Sequence, residues 1–420
     1  MIGLVRRHPL WAIVAGGIGV RLVLAFVFYG VRSDIFGLQL TADYFVHHPL
    51  HVYDVNDHTL GGTTFPPWVY PPAYLLWFAA ATGLSDITGL PWHGVMKLLP
   101  IAADVGLAVA IYVYLGWRGA TERVRLAGAT LVMLGPSFIA ISGYHGQIDG
   151  VAILLGVLAL MAWERRPRST RAVDAGLLVG LGAAIKTLPG LLVLALLPAA
   201  ESMRERAWLI GSAVAVPVIM LLPFVIADPG ALDWIRSYHG FPGKGGLSLA
   251  AHPSLGWGWV AHGVTFRSPE SGLSGLLADS DIWLDLATVA VLAGILLRYR
   301  PAPIDGAVLV WLAIYAFTPN FFMQYLLWGL PFFIMAGYLR EVAILQAVLV
   351  PATLIYYMQN ASHDGLGAGF AAVYVVTMIG LWLFWVVAFT TLVIRMARQR
   401  PVHRAGIQQP LVRLAPSSSG

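Results

Sequence analysis

The sequence predicts an all-α, polytopic transmembrane helix bundle, and three observations carry that prediction. The chain of 420 residues is 58% hydrophobic and only 11% charged, too apolar for a soluble domain. Apolar stretches of about 16 to 26 residues, the length of short or tilted spans, recur to the end of the chain. Basic residues gather in the short connections between them, as they do in cytoplasmic loops. The chain has no cysteine, which excludes disulfides and thiolate metal sites.

The elements follow in order. Arg6-Arg7-His8 precede a first span over 9–30. No small-residue cleavage site follows a short apolar core, so this span is expected to stay uncleaved with the N-terminus inside. A long outer loop, 31–93, comes next. It holds a short apolar stretch, 71–84, entered through the stiff Tyr70-Pro71-Pro72 and too short to cross. Further spans are predicted over 94–116, 124–142, 148–163, 174–199 and 207–227. After a second outer loop, 228–281, come 282–298, 304–318, 322–338, 342–358 and 369–394. Arg118, Arg123 and Arg125, then Arg165, Arg166, Arg168 and Arg171, and the tail 395–420 fall inside by the positive-inside rule. Segment 174–199 must then start and end inside; a plain reading with 12 single crossings also closes the parity, but strands arginines outside and is the less favoured. The segment can return inside as two half-helices broken near Lys186-Thr-Leu-Pro-Gly190, because proline and glycine interrupt a helix. Such a break is tolerated at membrane depth where it lines a cavity or is buried in protein. The total is about 11–13 membrane helices with both termini cytoplasmic.

Charges inside apolar spans are costly and mark sites or structural contacts. Lys97 and Asp104 lie seven apart, two turns along one helix face, and suggest a polar contact within the bundle. Lys186, at its break, can hold a phosphate or satisfy loose carbonyls. The segment Gly143-Tyr-His-Gly-Gln-Ile-Asp-Gly150 gathers His145, Gln147 and Asp149 between two apolar runs, facing out. Asp34 follows the first span by a few residues, at the water–lipid boundary. It can take a proton from a hydroxyl, or Ser33 or Asp34 can cap a helix. Asp43, nine residues on, is its rival. Four histidines, His47, His48, His51 and His58, lie near Asp54 and Asp57, but their spacing fits no compact metal set and Pro49 interrupts it. No P-loop, dinucleotide-binding glycine pattern or HExxH is present. The basic tail suits an anionic lipid surface better than nucleic acid.

The motifs, in order, are Ser33-Asp34-Ile-Phe, Val52-Tyr53-Asp54, Tyr70-Pro71-Pro72-Ala73, Lys97-Leu-Leu-Pro100 with Asp104, Gly146-Gln147-Ile-Asp149, Ala184-Ile-Lys186-Thr-Leu-Pro189, and Pro319-Asn320-Phe-Phe-Met-Gln324-Tyr-Leu-Leu-Trp328. This series resembles the GT-C superfamily of integral-membrane glycosyltransferases, well over 10–200 and loosely over 200–340. It is most similar to bacterial hexosyltransferases that use polyprenyl-phosphate sugars, such as the mannosyltransferases of actinobacterial envelopes. The large soluble domain of the oligosaccharyltransferase catalytic subunit has no counterpart here.

The resemblance implies a GT-C-type bundle with a catalytic membrane module over 1–227, an extracytoplasmic loop over 228–281, C-terminal membrane helices over 282–394 and a cytoplasmic tail. It implies transfer of a hexose, with mannose favoured, from a polyprenyl-phosphate donor to a glycolipid or polysaccharide acceptor. The transfer would invert configuration on the extracytoplasmic face of a bacterial plasma membrane. Asp34 is then the expected base. Lys186, Lys244, Arg236 and His252 are expected at the donor phosphate, and His145, Gln147, Asp149, Tyr70, Asn320 and Gln324 at the sugar or acceptor. Membrane lipids are the expected surroundings, and no cofactor, metal or nucleic acid is expected. A lipid-linked sugar flippase is the alternative; it would share broken helices and intramembrane charges, but the chain shows no matching halves.

Overall fold

A computed structural model describes residues 8–57, 67–237, 280–319, 321–361 and 367–398. Lys244, His252, Asn320 and His58, most of the loop 228–281 and nearly all of the tail lie outside the described residues. Every regular element among the described residues is helical.

Helix α1 (Pro9–Val27) is followed by α2 (Arg32–His47) and a 3-10 segment, Pro49–Asp57. Asn56 holds that segment against the returning chain of the loop. Its Nδ2 donates to the Trp68 carbonyl at 2.6 Å, and its Oδ1 accepts from the Trp68 N–H at 2.9 Å. The Tyr53 hydroxyl adds a bond to the Tyr70 carbonyl at 2.8 Å. Helix α3 (Leu75–Thr88) is the short apolar stretch, ended by Gly89 in the left-handed region.

A short turn, Trp92–Val95, leads into α4 (Leu98–Trp117). Helix α5 (Glu122–Met133) is interrupted at Gly135-Pro136 and resumes as a π-helical turn, Ile139–His145. Helix α6 (Asp149–Arg165) and α7 (Arg171–Ile185) pack along each other, and α7 packs along α9 (Met203–Ala227). Between α7 and α9 lies Leu188–Ala199, with α8 (Leu192–Leu196) at its centre. The predicted break therefore falls at Lys186-Thr187. Pro189 has no N–H, and its ring would clash with the Ile185 carbonyl of a continuing helix.

After α10 (Ala231–Ser237) come α11 (Asp281–Tyr299), α12 (Pro303–Phe317), α13 (Leu326–Met335), α14 (Leu339–Ala361) and α15 (Ala368–Arg398). Past Asp305 in its first turn, helix α12 is apolar on every side and buried nearly throughout, the axial position such a helix requires. Helix α9 instead exposes Ile210, Val214, Val218, Leu222 and Ile226 along one side, a face suited to lipid.

Seven helical stretches among the described residues are long and apolar enough to cross a membrane; shorter apolar helices, 188–199, 303–317 and 323–335, complete the bundle. The protein is a multi-pass membrane protein.

The intramembrane charges pair differently from the sequence expectation. Lys97 does not reach Asp104. Its Nζ donates to the Phe28 and Tyr29 carbonyls, both at 3.0 Å, just past the end of α1, where a cation suits the exposed carbonyls. Asp104 instead takes Arg21 at 2.9 Å and the Ser142 hydroxyl at 2.6 Å. Arg21 also caps the end of α5, donating to the Val132 carbonyl at 2.8 Å and the Met133 carbonyl at 2.5 Å. All three charged side chains are fully buried. Each charge meets a partner of opposite sign or a row of carbonyls, as burial demands. Together they fix α1, α4, α5 and the π turn to one another.

Candidate active site

Two charged clusters meet at the end of the bundle where α2, the π turn and the α7 break come together. The first is centred on Asp34. Neither Ser33 nor Asp34 caps α2; Val31 occupies that position and makes no side-chain cap. Asp34 lies in the first turn, where the helix dipole favours a carboxylate. Its Oδ2 accepts from His145 Nε2 at 2.9 Å and Gln147 Nε2 at 2.8 Å. Its Oδ1 is 3.2 Å from the Ser33 hydroxyl. The side chain is 30% exposed, while His145 is fully buried. Burial would raise the pKa of Asp34. The hydrogen bond from His145, with smaller help from Ser33 and Lys186, outweighs it and holds the carboxyl below the ordinary value.

Two glycines make this meeting possible. Gly146 ends the π turn at φ +80°, and a Cβ there would stand 2.7 Å from Lys97 Cγ. Gly30 turns the chain between α1 and α2 at φ +100°, and a Cβ there would stand 2.5 Å from the Tyr144 carbonyl. Only glycine tolerates both the backbone angle and the approach. The π turn, a distortion common at functional sites, delivers His145 to α2.

The second cluster is an ion pair at the head of α6. Lys186 Nζ donates to both Asp149 oxygens, at 2.8 and 3.0 Å. Trp328 Nε1 donates to Asp149 Oδ1. The Lys186 ammonium also lies 5.2 Å from the Tyr70 ring centre, 5.6 Å from Tyr325 and 5.5 Å from Trp328, within cation–π range of each. Tyr325 and Trp328 are stacked at 3.8 Å. Tyr315 pins their turn, donating to the Tyr325 carbonyl at 2.6 Å and accepting the Gly329 N–H at 2.7 Å.

Lys186, Tyr70, Tyr325 and Trp328 close one end of a cavity of about 390 Å³. Ile282, Leu286 and Val289 of α11 also line it, together with Asp285. Their spacing of four and three places them on one helix face.

The sequence-predicted residues divide cleanly. Asp34, His145 and Gln147 converge, as do Lys186, Asp149 and Tyr70. Gln324 approaches the Tyr356 hydroxyl at 3.5 Å. Asp43 is exposed; nine residues turn a helix by about 900°, which sets it on the face opposite Asp34. Arg236 is exposed and paired with Asp233 at 2.7 Å. No three potential ligands converge for a metal among the described residues. Sequence reasoning passed over Trp328, Tyr325 and Tyr357. Trp328 and Tyr325 stood in a quoted motif, but Tyr357 gave no signal beyond an aromatic residue near the end of an apolar span.

A search of the curated proteins finds no match. Among solved structures, the chain is similar to the oligosaccharyltransferase of Archaeoglobus fulgidus tethered to an acceptor peptide containing the NVT sequon. That match has 12% identity and a TM-score of 0.44, and covers 94% of this chain and 56% of that one. The archaeal oligosaccharyltransferase AglB of the same organism, in complex with an inhibitory peptide and a dolichol-phosphate, matches at 13% identity and a TM-score of 0.43 with the same coverage. The chain thus spans little more than half the length of those enzymes. The model of glycosyltransferase family 87 matches residues 68–314, more than half of the sequence. The chain belongs to glycosyltransferase family 87, a family of GT-C-type membrane glycosyltransferases.

Proposed function

We propose that the protein transfers a hexose, with mannose favoured, from a polyprenyl-phosphate donor to a glycolipid or polysaccharide acceptor. The reaction is placed on the extracytoplasmic face of a bacterial plasma membrane, with both termini cytoplasmic. The observation that carries the proposal is the hydrogen bonding of Asp34. Two nitrogen donors occupy Oδ2, while among the described residues only the exposed Ser33 hydroxyl approaches Oδ1. Oδ1 is therefore the oxygen free to take a proton, and the lowered pKa keeps it unprotonated at neutral pH.

In the proposed step the acceptor hydroxyl oxygen attacks the anomeric carbon and gives its proton to Asp34 Oδ1. The bond from that carbon to the phosphate oxygen breaks, polyprenyl phosphate leaves with the electron pair, and a single displacement inverts configuration. The cavity supports an amphiphilic donor. Lys186 suits a phosphate, and the apolar side chains of Leu188, Leu191, Ile282, Leu286 and Val289, which line the cavity together with Asp285, suit a hydrocarbon chain. Two of the three N–H groups of Lys186 are spent on Asp149, leaving one to meet the charge that develops on the leaving phosphate. His145 and Gln147 hold Asp34, and Asp149 holds Lys186, so these three act on the reaction through the base and the cation. The step as written needs no cofactor.

The test incubates membranes containing the protein with a panel of radiolabelled polyprenyl-phosphate sugars and analyses the products. One sugar is expected to be transferred by the wild type without an ion gradient, and none by Asp34→Asn. Wild-type rate in Asp34→Asn removes Asp34 as the base. Translocation of the donor without product would point to a flippase.

A further inference from the structure

The Asp34 site has a third layer that the reaction above does not use. Tyr357 of α14, buried to 7% exposure, places its hydroxyl 3.2 Å from His145 Nδ1. Its ring stands edge-on to those of Tyr144 at 5.1 Å and His145 at 5.5 Å, so its position is fixed from two sides.

The chemistry of the chain orders its protons. An ionised carboxylate only accepts, so His145 Nε2 must donate to Asp34 Oδ2. In a neutral imidazole Nδ1 is then the acceptor, and the Tyr357 O–H must donate to it. Gln147 Nε2 lies 3.0 Å from His145 Nε2, and both donate to the same oxygen. The opposite tautomer would turn the Nε2 lone pair toward Oδ2, which repels it.

We infer that Tyr357 is a positioning residue for the proposed base. By donating to His145 Nδ1 it locks the Nε2–H tautomer, and this tautomer aims Asp34 Oδ1 at the acceptor and keeps it charged. The inference rests on the assignment of Asp34 as base. It ties the reaction to α14, a helix about 200 residues away in sequence and outside the matched family region. Among the described residues, the ionisable groups that act on Asp34 or feel its charge are His145, Lys186, Tyr356 and Tyr357, and Asp149 also acts on Tyr357. Only the hydroxyl of Tyr357 is lost in Tyr357→Phe; the other groups and the ring packing stay.

The experiment measures kcat, KM and their pH profile for purified wild type, Tyr357→Phe, His145→Gln and the double variant, beside Asp34→Asn. Tyr357→Phe is expected to lower kcat on the order of tenfold, the loss of one hydrogen bond in a charged chain, with the donor KM unchanged. The acid limb of kcat/KM is expected to move to higher pH, because a poorly held imidazole stabilises the carboxylate less. In the His145→Gln background, Tyr357→Phe should have no further effect on that limb. Nitrogen-15 spectra of the histidine imidazoles should show His145 as the Nε2–H tautomer at neutral pH in the wild type, a measurement that holds even if Tyr357→Phe fails to fold. An unmoved acid limb with unchanged kcat in Tyr357→Phe, or an Nδ1–H or doubly protonated His145, overturns the inference. Activity in Asp34→Asn instead overturns the assignment of the base, and the two failures are distinct.

Discussion

Replacing Lys186 with methionine would strand the Asp149 carboxylate in a site where it has no exposed surface. At 2.8 Å and an effective dielectric of about 20, the pair attracts by roughly 6 kcal/mol. Removing both ions from water offsets most of that, so the intact pair stabilises the fold little. Breaking it is a different matter. A stranded carboxylate can escape by binding a proton, which at pH 7 costs about 4 kcal/mol for a carboxyl of ordinary acidity. That figure caps the electrostatic cost and falls within the roughly 3–5 kcal/mol typical of a broken buried pair. Lys186→Met also loses the ammonium's contacts with Tyr70, Tyr325 and Trp328, about 1 kcal/mol more. Asp149→Asn keeps those contacts and should cost about 3 kcal/mol. The double variant has no charge to strand and should cost less than the two singles together by about 3 kcal/mol or more. Reversible unfolding in mixed micelles, read as a double-mutant cycle, measures the coupling. Costs that add to within about 0.5 kcal/mol would show that the two side chains are energetically independent and refute the reasoning.

Three further outcomes follow from the geometry. Because Asp34 acts as a carboxylate and its pKa is lowered, kcat/KM should hold its plateau as pH falls and drop only below about pH 4; a pH–rate profile with its acid midpoint above about 5 contradicts this. Gly146→Ala forces a positive φ on an L side chain and drives its Cβ into Lys97, costing about 1–2 kcal/mol in denaturant unfolding and lowering transfer with it. Tyr315→Phe removes the hydroxyl that accepts the Gly329 N–H and donates to the Tyr325 carbonyl, so unfolding should show a loss of about 1–3 kcal/mol; an unchanged midpoint would mean that the turn carrying Trp328 does not depend on that hydroxyl.

The parts of the fold legible in the sequence were those written in local chemistry. Pro189 and Gly190 announce the break at Lys186, and Tyr70-Pro71-Pro72 announces the entry to α3. The alternation of apolar runs with arginines gives the helices within a few residues of their ends. The pairings were not legible, because they join residues far apart. Lys97 and Asp104 lie two turns apart, yet Lys97 turns to carbonyls just past the end of α1 and Asp104 to Arg21 within it, a choice fixed by how α1 crosses α4. Lys186 looked like a free cation at a break; the packing of α6 beside α7 gives it Asp149. His145 was visible in its motif, but the hydroxyl facing its other nitrogen comes from α14, 212 residues later. Periodicity cannot reveal such a partner.

The Arg21 network has a consequence for how the protein is made. Helix α1 leaves the ribosome with its arginine unpaired, and an arginine at the centre of a membrane helix opposes insertion by about 2.5–3.5 kcal/mol. The carboxylate that neutralises it lies 83 residues downstream, at Asp104, and the hydroxyl that accepts from it lies 121 residues downstream, at Ser142. At translation rates of roughly 5–20 residues per second, the first arrives about 4–17 s later and the second about 6–24 s later. Through that interval the hydrophobic flanks of α1 and a snorkelling side chain must hold it in place, or the insertion machinery must shelter it. Assembly of the active end of the bundle should therefore wait on biogenesis of the first 142 residues.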